Sequence, residues 1–313
     1  MFGRIQGLRE FGVLGMNRRN LEFIFAYNPR HFYPLVDDKL QTKQLAQQAG
    51  IAIPALYQVI HYQYQVKQLA ALLEPFPDFV IKPAHGSGGD GIVIIEQHHE
   101  HRYRKVNGEV VNLFELQHHV SSILGGLYSL GGQVDSALIE YRIRFDPVFS
   151  AITYQGVPDI RIIVFQGVPV MAMLRLPTRQ SQGKANLHQG AVGVGIDLAT
   201  GLTTSAVHAN NHVDEHPETG QALRGVQIPH WDMMLFTAAR CFELTGLGYI
   251  GADFVLDKDK GPLLLELNAR PGLNIQIANH AGLLPRLRRV QAMPPSALTP
   301  EQRVAFAKQN LPP

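Results

Sequence analysis

Gly251-Ala252-Asp253-Phe254-Val255-Leu256-Asp257, then Lys258-Asp259-Lys260-Gly261, then Pro262-Leu263-Leu264-Leu265-Glu266-Leu267-Asn268, is the stretch that decides how this chain is read. Two apolar, β-prone runs flank a polar tetrapeptide, the pattern of a β-hairpin. A four-residue turn pairs Asp257 with Pro262, and counting back sets Asp253 opposite Glu266. Opposed carboxylates destabilise a strand pair unless something neutralises them, and a bound cation is the natural agent. The period of two puts Asn268 on the face of Glu266, so three oxygen donors converge. Hard oxygen ligands without histidine suit Mg2+, which keeps waters and takes further ligands from phosphates. Two such ions bridged by Glu266 fit as well. A solvated surface turn explains Asp257 and Asp259 but explains Glu266, set among leucines, poorly. Arg270 keeps the same parity if the strand continues, and there it would hold a phosphoryl group or a carboxylate.

Working outward, the next informative segment is His85-Gly86-Ser87-Gly88-Gly89-Asp90-Gly91, between Phe79-Val80-Ile81-Lys82 and Ile92-Val93-Ile94-Ile95. Glycines let backbone N–H groups close around phosphate oxygens. The loop contains G-x-G-x-x-G, but a strand follows where a dinucleotide fold requires a helix. It also lacks the Gly-Lys-Ser/Thr end of a P-loop, and no His-Arg-Asp segment points to a protein kinase. Lys82 ends an apolar strand, so its ammonium is expected at the mouth of the loop. Between these two regions lies a basic set: Arg161 after Asp159 on one strand, Arg175 at the end of another, and Lys184-Ala185-Asn186-Leu187-His188-Gln189-Gly190 in a connecting loop. Fixed guanidiniums stabilise charge developing on a transferring phosphoryl group. Asp159 is expected to orient Arg161.

The remaining pattern is α+β with mainly antiparallel sheet. Asp37-Asp38 cap a helix that stops at Gly50, strands follow at 56–60 and 137–141, and a hairpin turns at Asn107-Gly108. Longer strands at 160–165, 168–174 and 191–196 precede a helix at 232–246. The tail from Pro294 is weakly patterned. With 28 Lys and Arg against 26 Asp and Glu, the chain lacks the basic footprint of a nucleic-acid binder. Cys241 is the only cysteine, which rules out an internal disulfide and a cysteine zinc site. No apolar run approaches the roughly 18 residues of a membrane span, so a cytoplasmic protein without membrane insertion is expected. His98-His99-Glu100-His101 reads as a solvated turn, Cys241 as core and Trp231 as a packing anchor.

In this order, the segments resemble the ATP-grasp superfamily, and within it the α-L-glutamate ligase-like proteins related to the ribosomal-protein glutamate ligase. The resemblance covers about residues 37–280. It implies two α+β lobes clasping ATP, a glycine-loop lobe at about 55–140 and a metal-binding lobe at about 141–280. Residues 1–36 would stand for a reduced N-terminal α/β domain, and 281–313 for a C-terminal tail. It further implies that Lys39 and Lys82 contact ATP phosphates beneath His85, Gly86, Ser87, Gly88, Gly89 and Gly91. Ile139, Glu140 and Tyr141 would form the adenine hinge, and Asp253, Glu266 and Asn268 would hold one or two Mg2+ ions, with Mn2+ as a substitute. Arg161, Arg175, Lys184, Asn186 and Arg270 would face the phosphoryl group and substrates. The implied reaction is ADP-forming ligation: a carboxylate on a peptide, protein or small molecule is phosphorylated and an amine donor, such as glutamate, attacks. A kinase on the same fold and a non-catalytic ATP sensor are the alternatives. The chain departs from the glutamate ligase pattern at Lys184 and Gln189, where arginines would be expected, and at Ala191, where a glycine would be.

Overall fold

The computed structural model describes residues 10–86, 88–293 and 298–311. Ser87, residues 1–9, the segment opening at Pro294-Pro295 and the closing Pro312-Pro313, all included in the expectations above, lie outside the described residues. The chain divides into two compact units, one of residues 38–44 and 53–143, the other of residues up to 37, 45–52 and 144 onward.

Among the described residues, the first unit carries a six-stranded antiparallel sheet in the order β1 (Leu56–Ile60), β6 (Ala137–Glu140), β2 (Phe79–Pro83), β3 (Val93–His99), β4 (Arg102–Lys105), β5 (Val110–Asn112). The last strand in sequence, β6, sits between β1 and β2, so Glu140 lies on an interior strand, paired on both sides. The helix Leu113–Leu124 buries Leu116, Val120, Ile123 and Leu124, an i, i+4, i+7, i+8 stripe, against Phe79, Ile81, Ile95 and Ile139. Asn112 caps it, accepting from the Glu115 N–H, while Glu115 accepts from the Asn112 N–H. The sequence pattern extends this helix to Leu130, but it stops at Gly125-Gly126 because Gly126 is left-handed at φ 81°.

The second unit is built on a seven-stranded antiparallel sheet, ordered β11 (Asn211–Val213), β10 (Thr203–His208), β9 (Val192–Ile196), β8 (Val168–Leu176), β7 (Asp159–Phe165), β12 (Tyr249–Asp257), β13 (Gly261–Asn268). Every residue of β7, β8 and β12 is buried. Strands covered on both faces read as apolar runs, and these do apart from Asp159, Arg161, Arg175, Asp253 and Asp257. The helix Trp231–Thr245 packs on β7, β8 and β12, with Trp231 Nε1 donating to the Leu198 carbonyl at 3.0 Å.

The N-terminal segment is short helical turns, and Asn28 fastens it to this sheet. Its amide nitrogen donates to the Tyr249 carbonyl at 2.7 Å and the Ala269 carbonyl at 3.2 Å, and its oxygen accepts from the Tyr249 N–H at 2.8 Å. The C-terminal region differs from its weak sequence pattern: Pro300–Asn310 is a helix capped by Thr299, with Val304 and Ala307 buried. Among the described residues no helix is long and apolar enough to cross a membrane.

Asn28→Ala strands three buried backbone groups. The expected destabilisation is about 3 kcal/mol, read as a lower midpoint in urea denaturation followed by circular dichroism.

Candidate functional site

Buried strands tolerate charges only when those charges satisfy one another, because an unpaired ion out of water costs several kcal/mol. On β7, β8 and β12 four charged residues share one face. Asp159 lies directly across from Arg175, and Arg161 directly across from Asp253. Arg161 grips Asp253 with both edges, Nε to Oδ1 at 2.7 Å and Nη2 to Oδ2 at 2.5 Å. Arg175 holds Asp159 through Nε and Nη2 and reaches Asp253 Oδ2 at 2.8 Å. Asp159 therefore orients Arg175, not Arg161 as the sequence order suggested; cross-strand pairing outranks proximity in the chain.

Burial opposes ionisation of Asp253, but Arg161 and Arg175 outweigh it and hold its carboxyl far below the usual range. Burial pushes Asp159 the other way, up to about 7, against the pull of Arg175. The Arg175 guanidinium is locked in its charged form by Asp159 and Asp253 despite its own burial.

On β13, Glu266 is paired with Asp253. The turn differs from expectation: Asp257 pairs with Gly261, and a bulge at Leu265 restores the alignment, since Phe254 faces Leu264 while Asp253 faces Glu266. Asp257 is no solvated acid either. It is 1% exposed and accepts from the Asp259, Lys260 and Arg144 N–H groups, closing the turn. Asn268 Nδ2 bridges Asp253 Oδ2 at 3.2 Å and Glu266 Oε1 at 3.1 Å, so the three expected metal ligands do come together. Among them Asp253 is engaged by guanidiniums, whereas Glu266, half-buried, is met by an amide. No three of His, Cys, Asp or Glu gather as a metal cage among the described residues.

Arg270 departs from its expected place. The strand ends at Asn268, and the Arg270 guanidinium lies 4.9 Å from the Tyr33 ring centre, exposed. Asn186 spends its side-chain oxygen on the His188 N–H at 3.0 Å, capping the turn Leu187–Gln189. Lys184 is half-buried in the same loop, its N–H bonded to the Ser181 carbonyl.

In the other unit the same logic runs with the opposite sign. Lys82 does not emerge at the loop mouth. It is 5% exposed, one residue before the strand ends, and its Nζ lies 2.5 Å from Glu140 Oε1. Lys43, on the helix Lys39–Gln48, places its Nζ 2.8 Å from the other oxygen. Two ammoniums thus share one carboxylate. Burial disfavours the charged Glu140, but Lys82 and Lys43 overcome it and keep its carboxyl below the usual range. Burial, reinforced by Lys82 and partly offset by Glu140, brings Lys43 down to about 8. Glu140 is therefore an ion-pair centre, Ile139 is core, and Tyr141 donates its N–H to the Ala55 carbonyl at 2.8 Å.

The glycine loop is tied at both ends. Lys39 Nζ donates to the Gly86 carbonyl, and His119 Nε2 lies 3.0 Å from the Gly91 carbonyl. His85 Nδ1 sits 2.7 Å from Asp135 Oδ1, and Asp135 also accepts from Ser129 Oγ and the His85 and Ser136 N–H groups. Gly88, Gly89 and Gly91 are left-handed, at φ 66°, 80° and 73°. A side chain at Gly91 would also strike Tyr128. The reading of the residues missed Lys43 and Asp135. The signal for Lys43 was its place four residues after Lys39 on one helical face.

A glycine loop following a strand that carries a buried lysine on one antiparallel sheet, and an acid–amide pair beside fixed arginines on another, are the marks of an ATP-grasp protein. The chain belongs to the sugar-transfer associated ATP-grasp family, whose model matches residues 18–292. Among curated proteins it is similar to the probable alpha-L-glutamate ligase of Azotobacter vinelandii (strain DJ / ATCC BAA-1303), 24% identical over 266 residues, covering 85% of this chain and 64% of that protein. The probable alpha-L-glutamate ligase of Aeromonas salmonicida (strain A449) is 24% identical over 236 residues, 75% of this chain and 57% of that protein. The chain thus spans less than two thirds of the length of these relatives. Among solved structures, ATP-grasp ligase PsnB complexed with minimal precursor aligns with a TM-score of 0.47 at 15% identity, covering 85% of this chain and 63% of that one.

Lys43 supplies a titration test. Its folded pKa of about 8 lies below the ordinary 10.5, so between those values the unfolded chain holds a proton the native chain has released. The group therefore adds stability as pH rises through that window and carries its burial cost in full below it. In NMR of lysine labelled at Cε, one resonance should titrate near pH 8 and vanish in Lys43→Met.

Proposed function

We propose that the protein is an ATP- and Mg2+-dependent carboxylate–amine ligase that forms an amide through an acyl phosphate and releases ADP and phosphate. The observation that carries this reading is the contrast between Asp253, gripped by two guanidiniums, and half-buried Glu266, which accepts from the Asn268 amide. A carboxylate held by an amide on an accessible side of the strand fits a hard cation that brings phosphate oxygens and waters with it. Glu266 and Asn268 would hold Mg2+, and Asp253 would join them only by exchanging a guanidinium for the ion. Bound there, Mg2+ would neutralise phosphate charge.

The residues of the chain do the rest. Lys82 and Lys43 carry one positive charge beyond what Glu140 balances, which favours a polyphosphate. The N–H groups of the glycine loop, with Lys39 holding the Gly86 carbonyl, suit phosphate oxygens. Arg161 and Arg175 are pre-oriented by their aspartates, so no reorganisation is needed as charge builds on the γ-phosphoryl group. In the reaction, an oxygen of the acceptor carboxylate attacks the γ-phosphorus and ADP leaves. The amine nitrogen then attacks the acyl carbon, phosphate departs with the bonding pair, and the nitrogen loses a proton. The chain needs no covalent nucleophile for this. The similarity to probable alpha-L-glutamate ligases supports an amino acid such as glutamate as a substrate, and a peptide or protein is the acceptor proposed with it.

Glu266→Gln keeps the volume and removes the charge. ADP release in the presence of Mg2+, amino acids and peptides should fall by about a hundredfold or more, with the fold intact by circular dichroism. Unchanged turnover would refute the assignment of Glu266. Product mass completes the test: an amide product is lighter than its two substrates by one water, whereas a phosphorylated product would identify a kinase.

A further inference from the structure

The second unit holds a cavity of about 240 Å³ that none of the groups above occupies. Its walls include Gln180, Leu187, His188, Val207, Asn210 and Asn274. Sheet register fixes where it lies. Arg175 on β8 is paired with Gly193 on β9, and Gly193 with Val207 on β10. Directly paired residues project to the same face, and strands are about 4.8 Å apart. Val207 is thus two strands, about 10 Å, from Arg175 on the face that carries Arg161, Asp253 and Glu266. Gly193 matters because it has no side chain: a Cβ there would come within 2.7 Å of Leu187 Cδ2, so the glycine is what lets Leu187 lie over the sheet as a cavity wall.

The chemistry of the walls is specific. Among the described residues no Asp, Glu, Lys or Arg lines the cavity, and His188 is the lining side chain that can carry positive charge. On the same face, Arg175 is committed to Asp159 and Asp253. Gln180, Asn210 and Asn274 instead present side-chain amides, each able to donate and to accept. The space, about 240 Å³, is enough for the side chain of one residue.

We propose that this cavity is the subsite for an uncharged, amide-bearing residue of the substrate, a carboxamide side chain or a peptide group, and that it favours this over a free side-chain carboxylate. An amide finds complementary donors and acceptors in Gln180, Asn210 and Asn274, whereas a carboxylate would lose water, meet no lysine or arginine in the described walls and have His188 alone to offset its charge. The proposal rests on the ligase reading for its role but makes a separate claim about binding.

Calorimetric titration of the whole chain, with Mg2+ and ADP present, compares the tripeptides Gly-Gln-Gly and Gly-Glu-Gly. Gly-Gln-Gly should bind more tightly by about tenfold or more. Gln180→Arg, at an exposed position, should erase or reverse that preference, with the fold checked by circular dichroism. Leu187→Trp, which fills the space, should weaken both peptides about tenfold and leave ADP affinity unchanged. Equal binding, tighter binding of Gly-Glu-Gly, absence of binding by both, or an insensitive Leu187→Trp variant overturns the subsite. Selective binding of Gly-Gln-Gly with no ADP release from ATP for any amino acid or peptide defeats the ligase reading and leaves the subsite standing. ADP release driven equally by the two tripeptides does the opposite.

Discussion

Asp253, with no exposed surface, is the residue around which the second unit is organised. A carboxylate in that position is stable only if cations reach both its oxygens, and the two that do come from different strands. The requirement fixes strand order and register together. A slip of one residue on β7 would turn Arg161 and Asp159 to the opposite face and leave Asp253 and Arg175 buried without these partners. Apolar burial makes these strands form a sheet; the charges select the alignment from those that burial alone would permit.

The first unit solves a related problem and reaches a different electrostatic result. Glu140 is placed on an interior strand because β6 inserts between β1 and β2, and there it meets Lys82 from a neighbouring strand and Lys43 from a helix. Two cations on one carboxylate leave a positive remainder in low-dielectric surroundings, where its field is strong. In the second unit the guanidiniums are matched by Asp159 and Asp253, and Glu266 is what remains. One unit therefore offers a surplus of positive charge and the other a surplus of negative charge, the complement of a polyphosphate and of a metal ion respectively.

Much of this was legible in the residues. The glycine loop between strands, the capped helix before Gly50 and the facing Asp253 and Glu266 follow from patterns with short range and few alternatives. What escaped were contacts set by sheet order. Lys82 reads as a strand-end lysine, and only the insertion of β6 beside β2 explains its burial. Arg161 reads as the neighbour of Asp159, yet two residues apart on a strand both project to one face without touching, and their partners lie across the ladder. Arg270 was carried by a strand parity that ends two residues earlier. The Asp253–Glu266 alignment was right although the turn was misjudged by one residue, because the bulge at Leu265 supplies the missing residue.

That bulge separates the hairpin into two mechanically distinct parts. On the sheet side, the spacing between Asp253 and Glu266 is held by Arg161, Asn268 and the β7 ladder. On the tip side, residues 258–260 are held by Asp257, which accepts from the Asp259 and Lys260 N–H groups, by the Arg144 carbonyl, which accepts from the Lys258 N–H, and by the Arg144 guanidinium 4.0 Å from Asp259. Length changes at the tip can accordingly be absorbed before they reach the acidic pair. Descendants of this chain are free to lengthen or recolour the tip while the pair stays aligned, which makes it a natural place for lineages to diverge and for a tag or fluorophore to be grafted.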